Sequence, residues 1–166
     1  MNVIGVVGWK NSGKSTFIVK LVELLTSCGL SVSTVKHAHH EFDIDRPGKD
    51  SYLHRESGAR EVLVSSGRRW ALMHELRGAE EPPLDELLGH LAPVDLVIVE
   101  GFKNYTHPKI EIRREQQTAP ALAPGDPDIV ALAADYTPPD TTLPVLPLGE
   151  PRIAAGFVAS HFGFSL

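Results

Sequence analysis

Residues 8–15 read Gly8, Trp9, Lys10, Asn11, Ser12, Gly13, Lys14, Ser15, which is the spacing G-x-x-x-x-G-K-[ST] of a loop that cradles a polyphosphate. Successive backbone N–H groups converge on an anion only where no Cβ stands in the way, and glycines at both ends of the loop allow the turn and the close approach. Lys14 can then reach β- and γ-phosphates, Ser15 Oγ can bind Mg²⁺, and Thr16 is a candidate α-phosphate contact. A helix starting near Lys14 adds unpaired N–H groups and the positive end of its dipole. Gly8, Lys10, Asn11, Ser12, Gly13, Lys14, Ser15 and Thr16 form the candidate nucleotide-binding set. The same residues also fit a glycine turn capped by Ser12 with a solvated lysine.

A magnesium site needs an acidic residue near that loop, and the apolar run 96–99 ends in Glu100 and Gly101. Ligands of open α/β sheets collect beyond the carboxyl ends of strands, which favours Glu100 over Asp95 at the other end of the run. Glu100 is therefore the metal candidate beside Ser15; a turn cap with Gly101 is the alternative. Asp135 follows the apolar run 129–134 and could accept hydrogen bonds from guanine N1 and N2, although an Asp before Pro138 and Pro139 also suits an ordinary turn. The Asn-Lys-x-Asp motif of common guanine-binding proteins does not occur.

These residues need strand ends and helix starts to hold them. Residues 2–8 are β-branched and end in glycine, and the spacing of Phe17, Leu21, Leu24, Leu25 and Cys28 predicts a helical stripe stopped by Gly29. Residues 30–35 read as the next strand, so the chain opens as a right-handed strand–loop–helix–strand unit. The runs 61–65 and 69–76 flank Ser66, Gly67 and Arg68 as a hairpin. A short helix is expected over 84–91 after Pro82 and Pro83, strands over 95–99, 109–113 and 129–134, and a helix over 150–162. The expected fold class is α/β: a three-layer P-loop NTPase fold with a mainly parallel sheet and an inserted β-hairpin, in one nucleotide-binding domain spanning 1–166.

The chain has 166 residues, a formal charge of −5 and 42% hydrophobic residues, values that suit a folded domain and exclude wholesale disorder. The acidic balance argues against nucleic-acid or membrane partners while leaving room for a local basic pocket. Cys28, the single cysteine, calls for no disulfide, and no signal or spanning segment is read, so the cytoplasm is the expected location. Prolines gathered from 120 to 151 suggest loops.

Between the second strand and Gly58 lies Lys36-His37-Ala38-His39-His40-Glu41-Phe42-Asp43-Ile44-Asp45-Arg46-Pro47-Gly48-Lys49-Asp50-Ser51. With the phosphate loop, Val99-Glu100-Gly101-Phe102-Lys103 and Pro108-Lys109-Ile110-Glu111, it closely resembles the molybdopterin-guanine dinucleotide biosynthesis protein B (MobB) family of GTP-binding proteins, over most of residues 2–113. The resemblance implies GTP and Mg²⁺ as ligands, weak hydrolysis and a homodimer. It further implies assistance to a MobA-like guanylyltransferase in the last step of molybdenum cofactor assembly, with molybdopterin or its guanine dinucleotide as a further possible ligand.

Read from its residues, the same segment suits a switch that senses the γ-phosphate and Mg²⁺, with Asp43 or Asp50 orienting water and Lys14 compensating charge. A solvated charged loop is the alternative. His37, His39 and His40 raise a metal-delivery reading as one alternative function; a small-molecule kinase is a second alternative, which would need an arginine-rich lid where the only paired arginines of the sequence are Arg68-Arg69 and Arg113-Arg114. Arg113 and Arg114 equally suit a local anion site or plain surface charge. Lys10 stands four positions before Lys14, where dimeric relatives of the broader class carry a lysine five before, so Trp9 occupies that place and is expected to pack at the loop or interface. The edge of the hairpin carrying Trp70 and Met73 could pair with a second subunit or lie covered.

Overall fold

A computed structural model describes residues 1–38, 42–139 and 141–165 of the chain. In chain order the elements are β1 (Asn2–Val7), α1 (Lys14–Ser27), β2 (Val32–Lys36), α2 (Asp50–Glu56), β3 (Glu61–Ser65), β4 (Trp70–His74), α3 (Leu84–Gly89), β5 (Leu96–Glu100), β6 (Lys109–Arg113), β7 (Ile129–Ala134), β8 (Val145–Pro147) and α4 (Pro151–Phe162). They form two compact units, one of Met1–His37 with Leu87–Leu166 and the other of Ala38–Glu86.

The first unit holds a six-stranded sheet in the order β2-β5-β1-β6-β7-β8, with every neighbouring pair parallel. This is the expected α/β fold with a parallel sheet. Strand alternation turns Ile4, Val6, Leu96, Ile98, Ile110 and Ile112 to one face, where they meet Phe17, Leu21 and Leu25 of α1. Ala154, Ala155 and Val158 of α4 close the same core. Cys28 departs from the expected stripe: it is the exposed C-cap residue of α1, one position beyond the last turn that can reach the core. On the opposite face Val7, Ile129 and Leu132 pack with Leu122 and Leu143.

Burial on both faces puts two charged side chains inside. Lys109 and Glu111 are each 1% exposed. Lys109 Nζ donates to Asp126 Oδ2 at 2.8 Å and lies 3.6 Å from Asp128 Oδ2, while the Glu111 carboxylate accepts the N–H groups of Leu122 and Ala123 at 2.9 Å each. The buried carboxylate thus anchors the start of the 3₁₀ turn Ala123–Gly125 that covers this face.

Two elements have no counterpart in the sequence reading. The strand β8 is three residues long and ends in proline, tolerated because it is an edge strand whose missing donor costs no ladder bond on the open side. The helix α2 buries none of its seven residues, so no apolar stripe announces it. Among the described residues no helix is long and apolar enough to cross a membrane.

The second unit pairs β3 with β4 as an antiparallel hairpin, Leu63 opposite Leu72, turned through Ser66–Arg69 as expected. Its two strands form a sheet of their own. Arg55 of α2 joins the unit's segments: Nη2 donates to Asp43 at 2.8 Å, Nε to Asp45 at 3.3 Å and Nη1 to Glu75 at 2.8 Å. The Asp45 N–H and then Arg55 hold the Asp43 carboxyl below its usual value; for Asp45, burial pushes upward but is outweighed by the Arg46 N–H, Ser51 and Arg55. Carboxyls depressed in the fold lend stability that is present above their unfolded value of about 4 and lost as pH falls through the folded one. The protection factors of the β3–β4 amides against hydrogen exchange are therefore expected to fall selectively below about pH 4, and Arg55→Met should flatten that dependence. A pH profile unchanged by Arg55→Met counts against this account.

Candidate functional site

The loop between β1 and α1 takes the shape its glycines allow. Gly8 has φ +147°, Asn11 +63° and Gly13 +95°. Gly13 is the N-cap of α1 and no side chain caps the helix, so Ser12 does not play the capping part of the alternative reading. The first-turn amides of Lys14, Ser15 and Thr16 have no preceding helical carbonyl, as at every helix start. Ser12 Oγ is buried and has no hydrogen-bond partner among the described residues. Lys14 Nζ folds back onto the loop, donating to the carbonyls of Gly8 at 3.0 Å and Trp9 at 2.8 Å. A Cβ on Gly8 would lie 2.9 Å from the Ile112 carbonyl oxygen and 3.0 Å from Ser12 Oγ. Gly8→Ala combines that backbone clash with an unfavourable φ, and should cost about 2–4 kcal/mol in a urea melt; a loss under about 1 kcal/mol would mean the loop relaxes freely.

Glu100, the last residue of β5, meets this loop because β5 neighbours β1. Ser15 Oγ lies 3.2 and 3.5 Å from the two Glu100 carboxylate oxygens, so the two expected metal-site residues face each other. Lys36 Nζ is 3.4 Å from Glu100. Burial lowers the pKa of Lys14, Glu100 opposes that shift, and Lys103 and Lys36 add to it. The loop therefore gathers positive charge in a chain of net negative charge. Trp9 packs as expected of it: its indole N–H donates to Pro120 O at 2.8 Å, and Lys103 Nζ sits 4.5 Å from its ring centroid.

On the other side of the loop Arg114 and Asp135 are the first residues after β6 and β7. Arg114 Nε donates to Ser12 O at 3.0 Å, and Nη1 to Asp135 Oδ2 at 3.2 Å. The Glu115 N–H donates to Asp135 Oδ1 at 2.9 Å; it holds the Asp135 carboxyl below its usual value, with burial opposing and Arg114 assisting. A cavity of about 480 Å³ opens here, lined by Lys10, Asn11, Arg114, Gln116, Gln117 and Asp135. Lys10 and Asn11 thus line the cavity together with Asp135, the expected base-reading residue. Gln116 and Gln117 carry no signal in the sequence that marks them for this site, and Lys36 and Lys103, though within the segments that carry the family resemblance, are placed beside Lys14 only by the structure. Arg114, which by sequence suits an anion site or plain surface charge, is brought to the loop by the strand order.

Asp43 and Asp50 lie in the second unit, Asp43 paired with Arg55 and Asp50 at the first position of α2. His37 follows β2 with its ring centroid 4.8 Å from that of Phe102, while His39 and His40 lie outside the described residues. Among the described residues no group of three or more His, Cys, Asp or Glu could hold a metal ion.

The family model for molybdopterin guanine dinucleotide synthesis protein B matches residues 3–135. The molybdopterin-guanine dinucleotide biosynthesis adapter protein of Escherichia coli (strain K12) is 35% identical over 159 residues, covering 94% of this chain and 90% of that one. The protein of the same name from Haemophilus influenzae is 36% identical over 140 residues, 81% of this chain and 75% of that one. The crystal structure of a MobB homologue from Bacillus stearothermophilus superposes with a TM-score of 0.73 at 27% identity, covering 98% of this chain and 99% of that one. Bacillus subtilis MobB gives 0.72 at 27%, covering 96% and 97%. None of these relatives bears a kinase or metal-delivery name, and those two alternatives are not favoured.

Proposed function

The chain belongs to the molybdopterin guanine dinucleotide synthesis protein B family, and from that premise we propose that it is an adapter in molybdopterin guanine dinucleotide synthesis which binds GTP with Mg²⁺ at its phosphate loop and assists a MobA-like guanylyltransferase. The observation that carries the nucleotide half is the buried, unpartnered Ser12 Oγ inside a loop whose following helix start has no side-chain cap. A buried hydroxyl and open amides at a helix N-terminus are donors in want of an anion.

The residues fit the ligand. Lys14 would exchange the carbonyls of Gly8 and Trp9 for phosphate oxygens, the amides of Gly13 to Thr16 would receive the phosphate chain, and Ser15 with Glu100 would hold Mg²⁺. Mg²⁺, when bound, supplies charge compensation across the phosphates. Hydrolysis in this site rests on positioning and on the Lys14 charge, which suits a slow, regulatory GTPase. The protein acts in the cytoplasm as a homodimer in this reading.

The test is a calorimetric titration of GTP with Mg²⁺ in the presence and absence of the guanylyltransferase. Coupling requires a shift in GTP affinity matched by an equal shift in partner affinity. Binding of GTP that is indifferent to the partner would remove the adapter half, and absence of GTP binding would remove the nucleotide half.

A further inference from the structure

We propose that Arg114 is a stacking platform for the base of the bound nucleotide, a role that rests on the nucleotide reading of the loop and adds a specificity-determining residue to it. The guanidinium is held from its edges. Nε donates to Ser12 O at 3.0 Å and Nη1 to Asp135 Oδ2 at 3.2 Å. From the position a Gly13 Cβ would occupy, Nη2 is 2.7 Å away while Cζ and Nε are 3.6 and 3.7 Å away. A face turned toward Gly13 would put Cζ about as close as Nη2; the observed order is that of an edge.

Hydrogen bonds of a guanidinium lie in its plane. With both edges engaged, what Arg114 offers is its flat faces, and the side chain is 42% exposed beside the cavity lined by Gln116, Gln117 and Asp135. A planar cation of this kind favours a planar, electron-rich ring system laid against it. The two clamps also fix the plane before any ligand arrives, which reduces the ordering cost of the contact. Phosphates on the loop and a ring on Arg114 would be joined through Ser12 and Gly13, the residues the arginine touches. A purine covers more of the face than a pyrimidine, so the platform predicts preference by ring size.

The experiment titrates GTP, CTP and inorganic tripolyphosphate, each with Mg²⁺, into the full chain and into Arg114→Lys, which keeps the charge and loses the plane. The wild-type chain should bind GTP several-fold tighter than CTP, as ring stacking of this kind implies. Arg114→Lys should weaken GTP roughly tenfold, narrow the GTP-to-CTP ratio and weaken tripolyphosphate by distinctly less than GTP, the part due to the lost Ser12 clamp. Equal losses for GTP and tripolyphosphate in a variant with a wild-type melting temperature would overturn the platform and make Arg114 a phosphate or loop-shaping group. Should that variant melt lower, the wild-type ratio decides, and equal GTP and CTP affinities overturn the proposal. Tripolyphosphate binding without base discrimination refutes the platform alone, whereas no binding of GTP or tripolyphosphate refutes the nucleotide reading beneath it.

Discussion

Lys14→Ala is expected to lower GTP affinity by about 100-fold in a direct titration, the loss of a charge-assisted set of phosphate contacts in a partly desolvated site. The fold should survive, because the hydrogen bonds of Lys14 Nζ go to the loop carbonyls of Gly8 and Trp9 and the α1 side chains buried in the core are Phe17, Ile18, Leu21 and Leu25. The melting temperature of the free protein then moves little while nucleotide-induced stabilisation disappears. Lys14→Arg should not restore full affinity, since a planar fork does not replace a compact ammonium among the phosphate oxygens of a tight loop. Because burial lowers the Lys14 pKa and an anion beside it raises it again, GTP affinity should hold through neutral pH. It should then decline at alkaline pH sooner than for an ordinary lysine, with proton uptake on binding in that range. Unchanged affinity in Lys14→Ala would mean that the loop does not hold the phosphates.

The largest stability effect is expected at the buried charges of β6. Lys109→Met keeps the aliphatic stem but leaves Asp126 facing a buried site without its cation, a change that costs about 3–5 kcal/mol when one partner of a buried pair is removed. For a chain of this size that is a fall of roughly 6–20 °C in melting temperature. Adding Asp126→Asn should recover part of the loss, since the uncompensated charge is then gone, and the double-mutant cycle measures the coupling. Glu111→Ala should cost a similar amount, because the N–H groups of Leu122 and Ala123 lose their acceptor and a void opens on the sheet. A Lys109→Met protein melting within 2 °C of the wild type would show that Asp126 is solvated well enough to stand alone.

Local pattern carried far into the structure. The strands over 61–65, 109–113 and 129–134 have the expected limits, and the phosphate-loop spacing put its lysine at the first position of a helix, because backbone sterics and side-chain period are properties of a few consecutive residues. Alternation along β6 assigned Lys109 and Glu111 to the face opposite Ile110 and Ile112, but a period of two says nothing of what covers the second face. The segments that do so carry Leu122, Ala123 and Leu143 and could not be placed by any neighbour rule. The helix α2 and the strand β8 were illegible for a related reason: one buries no side chain and the other is too short to show a period.

The candidate site divides along the same line. The identity and spacing of Gly8 to Thr16, the acidic end of β5 and the acidic end of β7 were written in consecutive residues, and so they could be named without coordinates. That Ser15 meets Glu100 and that Arg114 bridges Ser12 to Asp135 follows from the order β5-β1-β6-β7, which brings together residues 85, 102 and 21 positions apart. Strand order is fixed by which faces can be buried at once across the whole sheet, a global condition that no local window contains. Consecutive residues were thus enough to name the loop proposed to meet a polyphosphate, while the packing of distant segments chose the side chains that stand around it.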